Sequence, residues 1–159
     1  MPSTIRRATP DDAEQIAKVI QEVVAEPNPV AFDRARTPDE VRAWISRQGE
    51  HGAMFVVDDG RHIVAFAAMD FDSSRPDECT FGAWVRLRNR RQGHGSALAE
   101  EALAFARHHG YKRIRARLPE RNEPALSFLS SIGALVPLMS PGTSFELPIY
   151  QNGDDEEPA

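Results

Sequence analysis

Lysine, cysteine and long apolar runs are all scarce in this chain. Only Lys18 and Lys112 carry ammonium groups among 19 lysines and arginines. No lysine follows the glycines at 93 and 95, where Ser96-Ala97-Leu98 stands, and this excludes a Walker-type Gly-x-x-x-x-Gly-Lys-Ser/Thr loop. Cys79 is the single cysteine, so an intramolecular disulfide is excluded and a reducing compartment fits. Five scattered histidines and one cysteine supply no ligand spacing for a metal, and none is expected. No apolar stretch approaches the ~18 residues of a membrane span, and no hydrophobic leader follows Met1-Pro2-Ser3-Thr4. The expectation is a cytoplasmic protein without a membrane partner. Excess positive charge is absent too: the net charge is -5 and the pI about 5.5. A nucleic-acid surface is therefore not expected. The basic run Arg86-Leu87-Arg88-Asn89-Arg90-Arg91 also lacks the interleaved aromatics that stack on bases.

What is present is periodic. A short strand over 4–8 precedes a helix opened by Thr9 as N-cap, Pro10 as the first helical residue and Asp12 near the positive end. Ile16, Val19, Ile20, Val23 and Val24 repeat at helical spacing and predict one buried face. Pro27-Asn28-Pro29 interrupts the chain, and 30–36 reads as a surface connection. Thr37-Pro38-Asp39-Glu40 is a capping box ahead of a short helix that turns Val41, Trp44 and Ile45 inward. Strand runs over 53–57 and 63–70 flank Asp58-Asp59-Gly60, the pattern of an antiparallel hairpin.

After a turn at 72–76, a strand over 79–86 leads to a helix over 96–109, which Gly110 ends and His108 and His109 complement as C-terminal cations. In 112–118, Ile114, Ala116 and Leu118 alternate with Arg113, Arg115 and Arg117. A helix over 124–132, burying Phe128 among others, and strands over 134–139 and 144–149 complete the order β-α-α-β-β-β-α-β-α-β-β. Its 159 residues, 41% of them hydrophobic, fit one domain over 1–150 that buries roughly two thirds of its unfolded surface. Residues 151–159 form an acidic tail of disorder-prone composition.

The chemistry concentrates in Arg90-Arg91-Gln92-Gly93-His94-Gly95-Ser96, between a strand and a helix. Glycine removes the Cβ that would hold a ligand off the backbone, and the helix start offers unpaired N–H groups and a positive dipole end. This is an anion cradle, in which His94 contributes its backbone. The dinucleotide fingerprint fails, because its third glycine would fall on Leu98 and the upstream strands form hairpins.

On these residues the chain resembles the GNAT acyltransferase superfamily, whose acyl-CoA loop has the form Arg/Gln-x-x-Gly-x-Gly/Ala, matched by Arg90, Gly93 and Gly95. A second family pattern, Asn-x-x-Ala-x-x-Phe/Leu-Tyr-x-x-x-Gly-Phe, is similar to Asn122 through Ala134, with Leu129 in the tyrosine slot and Ala134 in the phenylalanine slot. The resemblance implies an α/β domain of α+β character, with a mixed, mostly antiparallel central sheet of about seven strands flanked by about four helices. It implies that N–H groups from Arg91, Gln92, Gly93, His94, Gly95 and Ser96 hold the pyrophosphate of acetyl-CoA, with arginine side chains including Arg90 adding charge-assisted contacts. Ala83, Trp84 and Val85 would run beside the pantetheine arm, the Val85 amide would steady the thioester oxygen, and Asn122 would bond the arm from the other side.

The implied reaction is direct attack of a primary amine, from a small molecule or a peptide, on the thioester. In relatives the departing sulfur takes a proton from the tyrosine replaced here by Leu129. A thiol of pKa about 8.5 nevertheless leaves tolerably as thiolate. The candidate base is Glu78, beside Cys79, which stands where some relatives have an acid; Asp70, Asp72 and Glu120 are further carboxylates. The alternative left open is an acyl-CoA-binding module without catalysis. Either a monomer or a homodimer fits, since exposed final strands can pair between subunits.

Overall fold

The computed structural model describes residues 3–26, 34–117 and 144–148. Strand β1 (Thr4–Arg7) leads into a 3-10 turn (Pro10–Asp12) and then α1 (Ala13–Val24). The helix expected from Thr9 thus begins later: the Asp12 carboxylate accepts the Thr9 backbone N–H at 2.8 Å and the Arg6 guanidinium at 2.8 Å, and this tightens the first turn. In α2 (Pro38–Arg47) the capping box forms as expected, with the Glu40 N–H donating to Thr37 Oγ1 at 3.1 Å and the Thr37 N–H to Glu40 Oε1 at 3.0 Å. β2 (Ala53–Asp58) and β3 (Ile63–Phe71) form the hairpin, and Gly60 takes φ +97° in its turn. Next come β4 (Glu78–Val85), a 3-10 turn (Leu87–Asn89), α3 (His94–His109), β5 (Arg113–Arg117) and β6 (Ser144–Pro148).

The six strands form one sheet in sequential order, antiparallel throughout except for the parallel pair β4–β5. That pair follows from α3, because a parallel return needs a crossover, and a helix supplies it. The mixed, mostly antiparallel α/β sheet is the expected one. The helix expected over 124–132 and the strand over 134–139 lie outside the described residues.

Two cores cover the two faces of the sheet. On one, Leu98, Ala99, Ala102 and Ala106 of α3 pack on Phe55, Ala67, Met69, Cys79, Phe81 and Ile114. On the other, Ile16, Val19, Ile20 and Val23 of α1, with Val41 of α2, pack on Met54, Val56, Phe66 and Ala68. Each fully buried Ile, Leu or Phe contributes about 1.5–3 kcal/mol relative to exposure, so these stripes hold the helices to the sheet. Trp44, expected as plain core, is only partly buried and uses its indole N–H as described below.

Candidate active site

β4 is paired unevenly. Its β3 partner runs the whole strand, from Cys79 opposite Phe71 to Val85 opposite Ala65. Its β5 partner covers only Glu78 to Phe81, opposite Arg113 to Ala116. Beyond Phe81 the β5-side edge of 82–85 has no strand partner among the described residues, which leaves a gap in the pairing they show.

The direction of the backbone groups along this gap follows from pairing. The Arg86 N–H donates to Val64 O at 3.0 Å, which marks Arg86, and by alternation Trp84 and Gly82, as the residues bonded to β3. Val85 and Ala83 therefore direct their N–H and C=O groups into the gap. Consistent with this, the Val85 carbonyl accepts from Arg90 Nε at 2.9 Å on that side. Gly82 allows the Trp84 ring to fold back along the strand, since a Cβ there would lie 2.3 Å from that ring.

The open edge runs directly into the glycine loop. Arg91 (φ 65°) and Gly93 (φ 85°) are left-handed, and Gly93 is the N-cap of α3. The helix starts at His94, two residues earlier than its composition suggests. Its first internal bond is Ala97 N–H to Gly93 O at 3.0 Å, and no side chain caps it, so the N–H groups of His94, Gly95 and Ser96 have no helical acceptor. A Cβ on Gly95 would meet nothing within 4 Å, which leaves the approach to those donors clear. Three converging N–H groups at a positive dipole end suit a phosphate.

Arg90 turns away from the cradle. Its two terminal nitrogens donate to Glu26 at 2.9 and 2.5 Å, and Arg86 pairs with Glu22 at 3.3 Å. Sequence reasoning missed these acids, Glu22 in α1 and Glu26 two residues past its end, whose spacing of four residues matches that of the two arginines. The side chains brace the loop against α1.

Glu78 is 8% exposed and bonded by Arg113 at 2.8 Å and Arg115 at 2.6 Å. The hydrogen bond from Arg115 is the main cause that holds its pKa below the usual carboxylate value; burial opposes it and Arg113 reinforces it. So held, the carboxylate is a poor proton acceptor. Cys79, on the opposite face, is buried, and burial, aided by the charges of Asp70 and Glu78, pushes its thiol up to about 12. Asp72 is a turn residue, bonded to the Ser74 N–H at 2.9 Å. Asn122, Glu120 and Leu129 lie outside the described residues.

Asp70 is placed otherwise. Its Oδ1 accepts the Trp44 indole N–H at 2.7 Å and the Gln48 amide at 2.8 Å, both from the α2 side. The i, i+4 spacing of Trp44 and Gln48 was a visible signal, but nothing local names the acceptor. Trp44 also walls an open cavity of about 340 Å³ with Arg36, Glu40, Ala43 and Arg47. Among the described residues no group of three or more His, Cys, Asp or Glu could hold a metal ion, and no helix is long and apolar enough to cross a membrane.

A mixed sheet with one parallel pair, β4 and β5, joined through a glycine cradle and α3, is the arrangement of an acyl-CoA-type transferase fold. The family profile of the Acetyltransferase (GNAT) domain matches residues 3–135, and the chain belongs to that family. No curated protein matches it in sequence. Among solved structures, a GNAT superfamily phosphinothricin acetyltransferase from Sinorhizobium meliloti, in complex with acetyl-CoA, is similar with a TM-score of 0.82 at 16% identity, over 100% of this chain and 94% of that one. An N-acetyltransferase from Staphylococcus aureus Mu50 aligns with a TM-score of 0.78 at 20% identity, over 93% and 99%. The ribosomal-protein-S18-alanine N-acetyltransferase of Escherichia coli aligns at 0.68 and 21%, over 93% and 94%.

Proposed function

We propose that the protein transfers an acetyl group from acetyl-CoA to a primary amine of a small molecule or peptide. The observation that carries this reading is the continuity of a β4 edge that has no strand partner among the described residues with an uncapped helix start. An extended amide-bearing arm would pair with Ala83 and Val85 beside Trp84, while its pyrophosphate would rest on the backbone from Arg91 through Gln92, Gly93, His94, Gly95 and Ser96. Arg90 keeps that backbone in place from behind, and Asn122 is assigned to the far side of the arm on its family pattern.

In the reaction the amine nitrogen adds to the thioester carbon, the carbon–sulfur bond breaks, and the carbonyl oxygen carries negative charge on the way. The Val85 N–H would meet that charge, a role its direction along the β4 edge supports; an oxyanion donor of this kind is worth about 2.7–4 kcal/mol. The sulfur leaves as thiolate and takes its proton from solvent, since Leu129 offers none. The double arginine clamp on Glu78 supports a structural role for that carboxylate.

Free-thiol release from acetyl-CoA, measured across primary alkylamines, amino acids and peptides, tests the reading. Release above buffer with at least one acceptor is expected. Acetyl-CoA binding without release for any acceptor would favour the non-catalytic binding module.

A further inference from the structure

Resting on that reading, we propose that Asp70 is the carboxylate that receives the acceptor's ammonium group and takes a proton from it as the nitrogen attacks. Three observations converge on it.

The first is charge. Of the strand carboxylates whose side chains are described, Asp58 pairs with Arg6 at 3.1 Å and Glu78 with Arg75, Arg113 and Arg115. Asp70 receives only neutral donors, both on Oδ1, and among the described residues no donor reaches Oδ2. A half-buried carboxylate anchored on one oxygen and lacking a cation is complementary to an ammonium.

The second is position. Asp70 lies opposite Thr80, one residue before Phe81, where the pairing of β4 with β5 ends. It thus stands across β4 from the point where the described β5 pairing ends, just ahead of the stretch that presents Ala83 and Val85. Thr80 is exposed although its strand is flanked on both sides, so the sheet is uncovered there.

The third is the wall. Trp44 packs edge-on against Phe66 at 5.9 Å and Trp84 at 6.3 Å between centroids, and its indole ends at Asp70. Such a wall accepts the methylenes of an amine along its face.

The ammonium first sheds one proton to solvent, which frees the nitrogen lone pair; as the carbon–nitrogen bond then forms the nitrogen becomes acidic and passes its second proton to Oδ2 and on to solvent, where the thiolate is protonated. One proton is released per turnover of an ammonium substrate. Trp44 and Gln48 act as positioning residues, holding Oδ1 so that Oδ2 faces the gap.

The test is Asp70→Asn, which keeps an oxygen for Trp44 and Gln48 and removes the basic one. Against the best amine of the thiol-release series, kcat/KM falls by about 10²–10⁴. Acetyl-CoA affinity and melting temperature stay at wild-type values. Asp70→Glu, which restores a carboxylate, recovers more activity than Asn, a difference a purely structural role would not produce. Wild-type kcat/KM in Asp70→Asn, or equal losses in both variants, would overturn the assignment while leaving acetyl transfer intact. Failure of the wild type with every amine would overturn the transfer reading, and this assignment with it.

Discussion

Glu78 and Cys79 are neighbours in β4 with opposite electrostatic fates, because strand alternation sends one to the arginines of β5 and the other into the core under α3. A thiol at about 12 carries almost no thiolate at neutral pH. Cys79 should therefore resist iodoacetamide in the native protein at pH 8 and react fully in denaturant, as counted by mass spectrometry. Glu78 behaves in the reverse sense. Its folded pKa lies below its unfolded one, so its contribution is complete above about pH 4.3 and is lost as pH falls through the folded value. Glu78→Gln should lower stability by about 1–3 kcal/mol at pH 7, toward the lower end because Arg113 and Arg115 are partly exposed. In urea melts the gap from wild type should shrink steadily below pH 4.

Among the elements, the glycine loop was the most legible and the most altered on folding. Gly93, Gly95 and the following alanine- and leucine-rich helix are local features, and local backbone geometry is what a sequence encodes most directly. Gly93 occupies φ 85°, which β-branched residues avoid. Gly93→Val should weaken coenzyme A binding by tenfold or more by calorimetry, since strain of about 1–3 kcal/mol must distort the cradle, and each 1.4 kcal/mol is a decade. The melting temperature reports whatever part of the strain falls on the fold. Arg90 illustrates what local reading cannot reach. Its place in the pattern suggested a phosphate contact, yet its partner, Glu26, lies 64 residues away and is met only because α1 ends over the loop. In the same way Trp44 and Gln48 are one helical turn apart by sequence, but that both reach Asp70 depends on where α2 settles on β3.

At the level of the whole molecule, hydrophobic period together with local capping, composition and turn signals determined α1, α2, α3 and the β2–β3 hairpin, because side-chain spacing and the chemistry of caps and turns follow from local backbone geometry. It determined the cradle for the same reason: a glycine's conformational freedom needs no distant partner. Only the tertiary structure decided that β4 and β5 run parallel and that their pairing among the described residues covers Glu78 to Phe81, since that depends on a neighbour arriving after a helical crossover. It also decided which carboxylates are neutralised. Glu78 and Asp70 are both acids on strands, alike in sequence, and they differ because three arginines stand beside one and two neutral donors beside the other. Electrostatic environment is set by what folding brings within a few ångströms, and residue order carries no direct record of it.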